Sequence, residues 1–135
     1  MHGLDLRRQE RAYTTAYDLA LIARALVSHP LSLELASTRR APFRGGAFWL
    51  DTTNKLLGKR GVDGLKTGWT PRAGGCFCAT AQRDGVRLIS VVLGARGGRF
   101  HVTERLLEDG FRVALHQSEV AREELPVELV GGPTP

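Results

Sequence analysis

Val62-Asp63-Gly64-Leu65-Lys66-Thr67-Gly68-Trp69-Thr70-Pro71 lies near the middle of a chain of 135 residues, and its chemistry is concentrated in three of them. Lys66 carries a point charge, Thr67 a hydroxyl donor of fixed direction, and Gly68 no side chain at all. A cation beside a hydroxyl is suited to gripping a carboxylate. A following glycine lets a ligand approach the backbone, so that the next N–H can face a developing oxyanion. A phosphate-binding loop is excluded, because that pattern needs Gly directly before Lys-Ser/Thr and Leu65 stands there. Three residues alone are also what a strand end running into a turn provides.

Outward from this stretch, Val62 to Thr67 predicts a strand, and Gly68 to Gly75 a glycine-rich connection. Cys76 to Gln82 and Val86 to Leu93 flank Asp84-Gly85, the strongest short-range hairpin signal, which sets Ala81 opposite Leu88 and Ala79 opposite Ser90. Both faces of Val86 to Leu93 are apolar, so that strand belongs inside a sheet covered on both sides, and its second edge needs a partner. Thr15 followed by Asp18 is a helix-capping signature, with apolar residues at Leu19, Ile22, Ala23, Leu26 and Val27. Ser28-His29-Pro30 ends that helix, and Leu31 to Ser37 predicts one or two further turns. Pro42 and Gly45-Gly46 punctuate the next segment, with a short strand at Ala47 to Leu50. From about Gly98 to His116 a helical stripe returns through Thr103, Leu106, Leu107, Gly110, Phe111 and Ala114. A glycine there costs about 1 kcal/mol against Ala, for which close packing on the sheet is a reason. Glu123 to Val130 holds a short strand signal.

The net charge is +5. Its arginines are spread along the chain and interleaved with acids, and no recognition-helix, zinc-finger or RNA-binding signature accompanies them, so nucleic acid is not expected as a partner. Neither a metal nor a cofactor is expected: the four histidines are scattered without ligand spacing. Cys76 and Cys78 share one strand face, poorly placed to bridge each other, and are expected as buried thiols of the core. No apolar run is long enough to span a membrane, and no signal peptide opens the chain.

Asp63 to Gly68 with Thr70, Ala73-Gly74 and Cys76 resembles the serine-type D-Ala-D-Ala carboxypeptidases, the low-molecular-mass penicillin-binding proteins. The resemblance continues through Arg83 to Ala95, Leu106-Leu107 and Gly110-Phe111, and upstream in Thr14 to Ala20 and in His2-Gly3-Leu4, which is similar to the end of an Asn-x-His-Gly-Leu segment. It implies an α+β fold, an antiparallel sheet flanked by helices as in the β-lactamase and penicillin-binding-protein domain, with the N-terminal part missing. Residues 1–117 would be the C-terminal portion of that catalytic domain, and residues 118–135 a short tail or the start of a linker. It further implies a peptidoglycan pentapeptide as substrate, β-lactams as ligands, an extracytoplasmic location for the full-length parent, and the missing N-terminal part of the same domain as a structural partner. Lys66 would control the site's electrostatics, Thr67 and Arg99 would bind the substrate's terminal carboxylate, and Gly68 with the backbone N–H of Trp69 would serve the oxyanion.

The family's nucleophile is the serine of Ser-x-x-Lys, accompanied by a Ser-x-Asn motif. Ser28, Ser32, Ser37, Ser90 and Ser118 all lack a lysine three residues on, and Asn54, the only asparagine, is preceded by Thr52 at the second position before it. Both motifs lie upstream of His-Gly-Leu in the family, so a C-terminal fragment is the simplest expectation. A non-catalytic module binding cell-wall peptide or β-lactam is the alternative, and a remnant of the fold serving as a partner surface is a third.

Overall fold

A computed structural model of the chain describes residues 13–123, with the backbone alone for 121–123. The expectations on His2-Gly3-Leu4 and on a strand beyond Glu123 lie outside these residues.

The Thr15 hydroxyl accepts from the Asp18 N–H at 3.0 Å while the Thr15 N–H donates to the Asp18 carboxylate at 3.2 Å, and this capping box starts helix α1, Ala16–Val27. Pro30 opens helix α2, Pro30–Ser37, at its first position, where a missing N–H costs nothing. The segment that follows contains a strand the sequence did not signal. β1, Arg40–Phe43, pairs antiparallel with β2, Phe48–Asp51, across a turn through Arg44, Gly45 and Gly46, all at positive φ.

The main sheet has three antiparallel strands in the order β3 (Val62–Thr70), β4 (Gly74–Arg83), β5 (Val86–Ala95). Asp84 and Gly85 turn β4 into β5 with φ of 47° and 80°, and Ala81 faces Leu88 and Ala79 faces Ser90 as the spacing requires. The glycine-rich connection is shorter than expected. β3 runs on through Gly68 and Trp69, which pair with Cys76 and Gly75, because ladder bonds to β4 outweigh the low strand propensity of glycine.

Alternation along β4 sorts the two faces of the sheet. Phe77, Ala79 and Ala81 point into the core, against Leu107 and Phe111 of helix α3, Arg99–Glu123. Phe77 is fully buried and meets Phe100 edge-on, with ring centroids 5.3 Å apart. Cys76, Cys78 and Thr80 point the other way, toward α1 and α2: a Cβ on Gly64, the partner of Thr80, would sit 3.4 Å from Ala36. The cysteines therefore lie off the core, contrary to expectation, and each is half-buried. Helix α1 follows the sheet along Leu19, Ala23 and Val27, leaving Ile22 and Leu26 of its expected stripe exposed.

Helix α3 extends seven residues past the expected end at His116. Its core-facing stripe holds Thr103, Leu107 and Phe111, whereas Leu106, one residue and about 100° around the helix from Leu107, is 48 % exposed. At Gly110 α3 packs tightly on the sheet, since a Cβ there would lie 2.9 Å from Leu88 Cδ1. Both faces of β5 are covered, by α1 and α3, yet among the described residues only β4 pairs with it. Its other edge is an apolar template for a further strand.

Candidate functional site

β3 is an edge strand, and its C-terminal half carries the singled-out residues in register with β4: Lys66 opposite Cys78, Thr67 opposite Phe77, Gly68 opposite Cys76 and Trp69 opposite Gly75. Opposed residues share a face, so Lys66, Gly68 and the two thiols lie together on the α1 side, and Thr67 lies on the α3 side. Arg99 enters from the first residue of α3. Its Nη1 donates to the Gly68 carbonyl at 3.2 Å, and it passes over Gly75, where a Cβ would stand 3.3 Å from Arg99 Cδ. Lys66, Thr67, Gly68, Trp69 and Arg99 thus line one cavity of about 660 Å³.

Each group is held by identifiable neighbours. The Lys66 ammonium donates to the Thr67 carbonyl at 2.5 Å. The Thr67 hydroxyl is buried and shares a 2.5 Å hydrogen bond with the hydroxyl of Thr53. Asn54 next to it is buried too, donating to the Gly64 carbonyl at 3.3 Å and accepting from the Leu56 N–H at 3.0 Å, which pins the loop before β3 to the strand. Arg99 Nε is buried without a hydrogen-bond partner, one unspent donor at the cavity wall. Trp69 itself is 65 % exposed. Among the described residues no carboxylate lines this space, whose charged groups are the cations of Lys66 and Arg99. Such a wall suits an anion, and a carboxylate would find there an ammonium, a hydroxyl and a guanidinium as donors. No group of three or more His, Cys, Asp or Glu suited to a metal gathers among the described residues.

Two networks hold β3 in place. A register shift between Val62 and Gly64 leaves Asp63 over, and its carboxylate accepts from Thr80 and pairs with Arg87 at 2.8 Å, tying β3, β4 and β5 together. On the other side Glu108 of α3 accepts from Arg83 at 2.6 and 3.1 Å and pairs with Arg60 at 3.0 Å, while Arg83 Nε donates to the Arg60 carbonyl at 2.7 Å. The Arg83 hydrogen bonds first, and those of Arg60 second, push the Glu108 carboxyl down from its ordinary 4.5 to about 2. A depressed carboxylate stabilises the fold above its unfolded pKa, and that contribution is lost as pH falls through the folded value. Thermal unfolding followed from pH 5 to pH 2 is expected to show a falling Tm across this window, and Glu108→Gln to flatten the fall.

The sequence brought out Lys66, Thr67, Gly68, Trp69 and Arg99, and the fold gathers them. It missed Thr53, Leu19 and the thiols as neighbours of the same cavity. Thr53 stands 14 residues before Thr67 in an unpatterned loop, and only its hydroxyl marked it.

A family model for D-alanyl-D-alanine carboxypeptidases matches residues 1–97. The D-alanyl-D-alanine carboxypeptidase DacC of Escherichia coli is 40% identical over 116 residues, covering 83% of this chain and 28% of that protein. The carboxypeptidase DacF of Bacillus subtilis is 37% identical over 91 residues, covering 64% of this chain and 23% of the relative. The chain therefore spans between a fifth and a third of the length of these relatives. Among solved structures, a penicillin-binding protein of Listeria monocytogenes in its cefotaxime-bound form superposes with a TM-score of 0.72 at 46% identity, over 81% of this chain and 45% of that one. A Streptomyces DD-transpeptidase variant gives a TM-score of 0.66 at 26% identity, over 77% of this chain and 44% of that one.

Proposed function

This chain belongs to the D-alanyl-D-alanine carboxypeptidase family, and from that premise we propose that it carries the carboxylate-holding wall of a serine-type D-Ala-D-Ala carboxypeptidase active site. The reaction removes the terminal D-Ala from peptidoglycan stem peptides. A serine attacks the carbonyl of the last peptide bond, D-Ala leaves, and water releases the acyl-enzyme. Lys66, Thr67 and Arg99 hold the C-terminal carboxylate of the peptide, which β-lactams present in equivalent form. The backbone N–H of Trp69 faces the oxyanion, with Gly68 leaving the approach open. The observation that supports this most is the meeting of Lys66, Thr67 and Arg99 around a cavity that, among the described residues, has no acidic side chain. The attacking serine is supplied by polypeptide outside these 135 residues, because none of the five serines has a lysine three residues on. The same polypeptide supplies the strand that the open edge of β5 accepts. Residues 1–117 are the domain portion in this scheme, with 118–135 beyond it. An extracytoplasmic setting follows from the substrate, and among the described residues no single helix is long and apolar enough to cross a membrane.

The lack of any Ser-x-x-Lys also suits a non-catalytic module that binds cell-wall peptide or β-lactam without acylation. The grip is tested by titrating N-acetyl-D-Ala-D-Ala into the ¹⁵N-labelled chain, with the C-terminally amidated dipeptide as control. The free acid is expected to move amides of Lys66 to Thr70 and of β4 opposite them, the amide form to move them little, and Lys66→Ala to abolish the difference. Equal shifts with both dipeptides would remove the carboxylate grip from the proposal.

A further inference from the structure

Cys76 sits opposite Gly68, where a Cβ would stand in van der Waals contact with Cys76 Cβ at 3.8 Å, so the missing side chain uncovers the Cys76 stem on that side. The Cys76 thiol is free, half-buried and engaged only by long S–H contacts, 3.7 Å to the Ala73 carbonyl and 3.9 Å to that of Gly74. Cys78, across from Lys66, is free as well, but burial pushes its thiol up, away from the reactive thiolate. Both cysteines line the cavity that Lys66 and Arg99 make cationic. A thiol within a cationic, carboxylate-free cavity meets negatively charged reagents at raised local concentration.

We propose that Cys76 is a covalent modification site within this cavity, selective for small anionic disulfides, whose adduct occupies the space between Lys66, Gly68 and Arg99. The Cys76 thiolate, its proton lost to solvent, attacks one sulfur of the disulfide. A new S–S bond forms, the old one breaks, and the other half leaves as a thiolate, so that oxidation of the protein thiol is matched by reduction of the reagent. A free thiol reverses the step. The chain's carboxylate grip would thereby be blocked under disulfide stress and restored by reduction.

This inference rests on the cavity being an anion grip, and one experiment separates the two. The folded chain is treated with the anionic ethylsulfonate methanethiosulfonate or its cationic ethyltrimethylammonium counterpart, which transfer an alkylthio group as methanesulfinate leaves. Peptide mass mapping then gives the rate at each cysteine, and the urea-unfolded chain supplies the intrinsic ratio of the two reagents. At Cys76 the anionic-to-cationic rate ratio is expected to exceed the unfolded ratio by about tenfold. It should collapse toward the unfolded ratio in 1 M salt and, with far-UV dichroism unchanged, in Lys66→Gln. Cys78→Ser should leave the Cys76 rate in place. Anion-selective labelling that falls on Cys78, or no labelling of either thiol in the folded chain, would overturn the Cys76 site while leaving the grip standing. Labelling of Cys76 without charge preference would overturn both.

Discussion

Lys66→Ala is expected to lower kcat/KM by a factor of roughly 30 to 1000 once the chain is joined to a segment bearing the nucleophilic serine, equivalent to about 2–4 kcal/mol of transition-state stabilisation. The magnitude follows from the setting. Among the described residues Lys66 and Arg99 are the only charged groups at the cavity wall, so in the proposed scheme the alanine variant leaves the peptide carboxylate with a guanidinium and a hydroxyl alone. A hydrogen bond to a charged group is worth more than a neutral one, and more again where water is partly excluded. In the proposed scheme the carboxylate is held in ground state and transition state alike, so part of the loss should enter KM, and steady-state kinetics on a D-Ala-D-Ala peptide read the division. Cys78→Ala is the control: it removes a half-buried thiol from the same cavity without removing charge, and turnover should survive while stability falls. The reverse pattern would take the central role away from Lys66.

Phe77→Ala carries the largest expected effect on the fold. The ring is fully buried between the sheet and α3, against Phe100, Leu107 and Phe111, at the middle of β4, which bridges the other two strands. Truncating a buried phenylalanine costs about 3–5 kcal/mol, the lost transfer energy plus the cavity left behind. Against the 5–15 kcal/mol that a whole domain typically has, and with one edge of β5 unpaired among the described residues, that loss should shift the chain largely to the unfolded state. Urea titration by dichroism is the check. A midpoint displaced by less than a Phe77→Leu control would mean that the core lies elsewhere. Residue 77 also faces Thr67 across the ladder, so a partly folded variant should lose the Lys66–Thr67 cavity before its helices.

Much of this architecture was legible in local chemistry. Asp84-Gly85 has one good solution between two apolar runs, and the register across the hairpin followed from it. Thr15 and Asp18 cap α1 reciprocally, an interaction contained within four residues. Gly110 announced a close approach by its cost, and Leu88 is what approaches. The failures share a cause, which is that the deciding partner lies far away in sequence. β1 is four residues long and contains Pro42, and it becomes a strand only because β2 pairs with it. Gly68 and Trp69 resemble a connection until β4 is laid beside them. Cys76 and Cys78 were placed on the core face because alternation fixes that two residues share a face but not which face; Phe77 between them takes the core. In the site, the motif residues are contiguous and readable and Arg99, named by the resemblance, reaches Gly68 from the start of α3, whereas Thr53 meets Thr67 only through the folding of an unpatterned loop.

The proposed division of labour, a carboxylate grip here and a nucleophile elsewhere, is met most directly by covalent labelling. The purified chain is incubated with a fluorescent penicillin, alone and after co-expression with a segment carrying Ser-x-x-Lys, then run on a denaturing gel and mapped by mass spectrometry. The expected result is no labelled band from the chain alone and a labelled serine on the added segment, its yield lowered by Lys66→Ala. A stable penicilloyl adduct on Ser28, Ser32, Ser37, Ser90 or Ser118 of the isolated chain would contradict it.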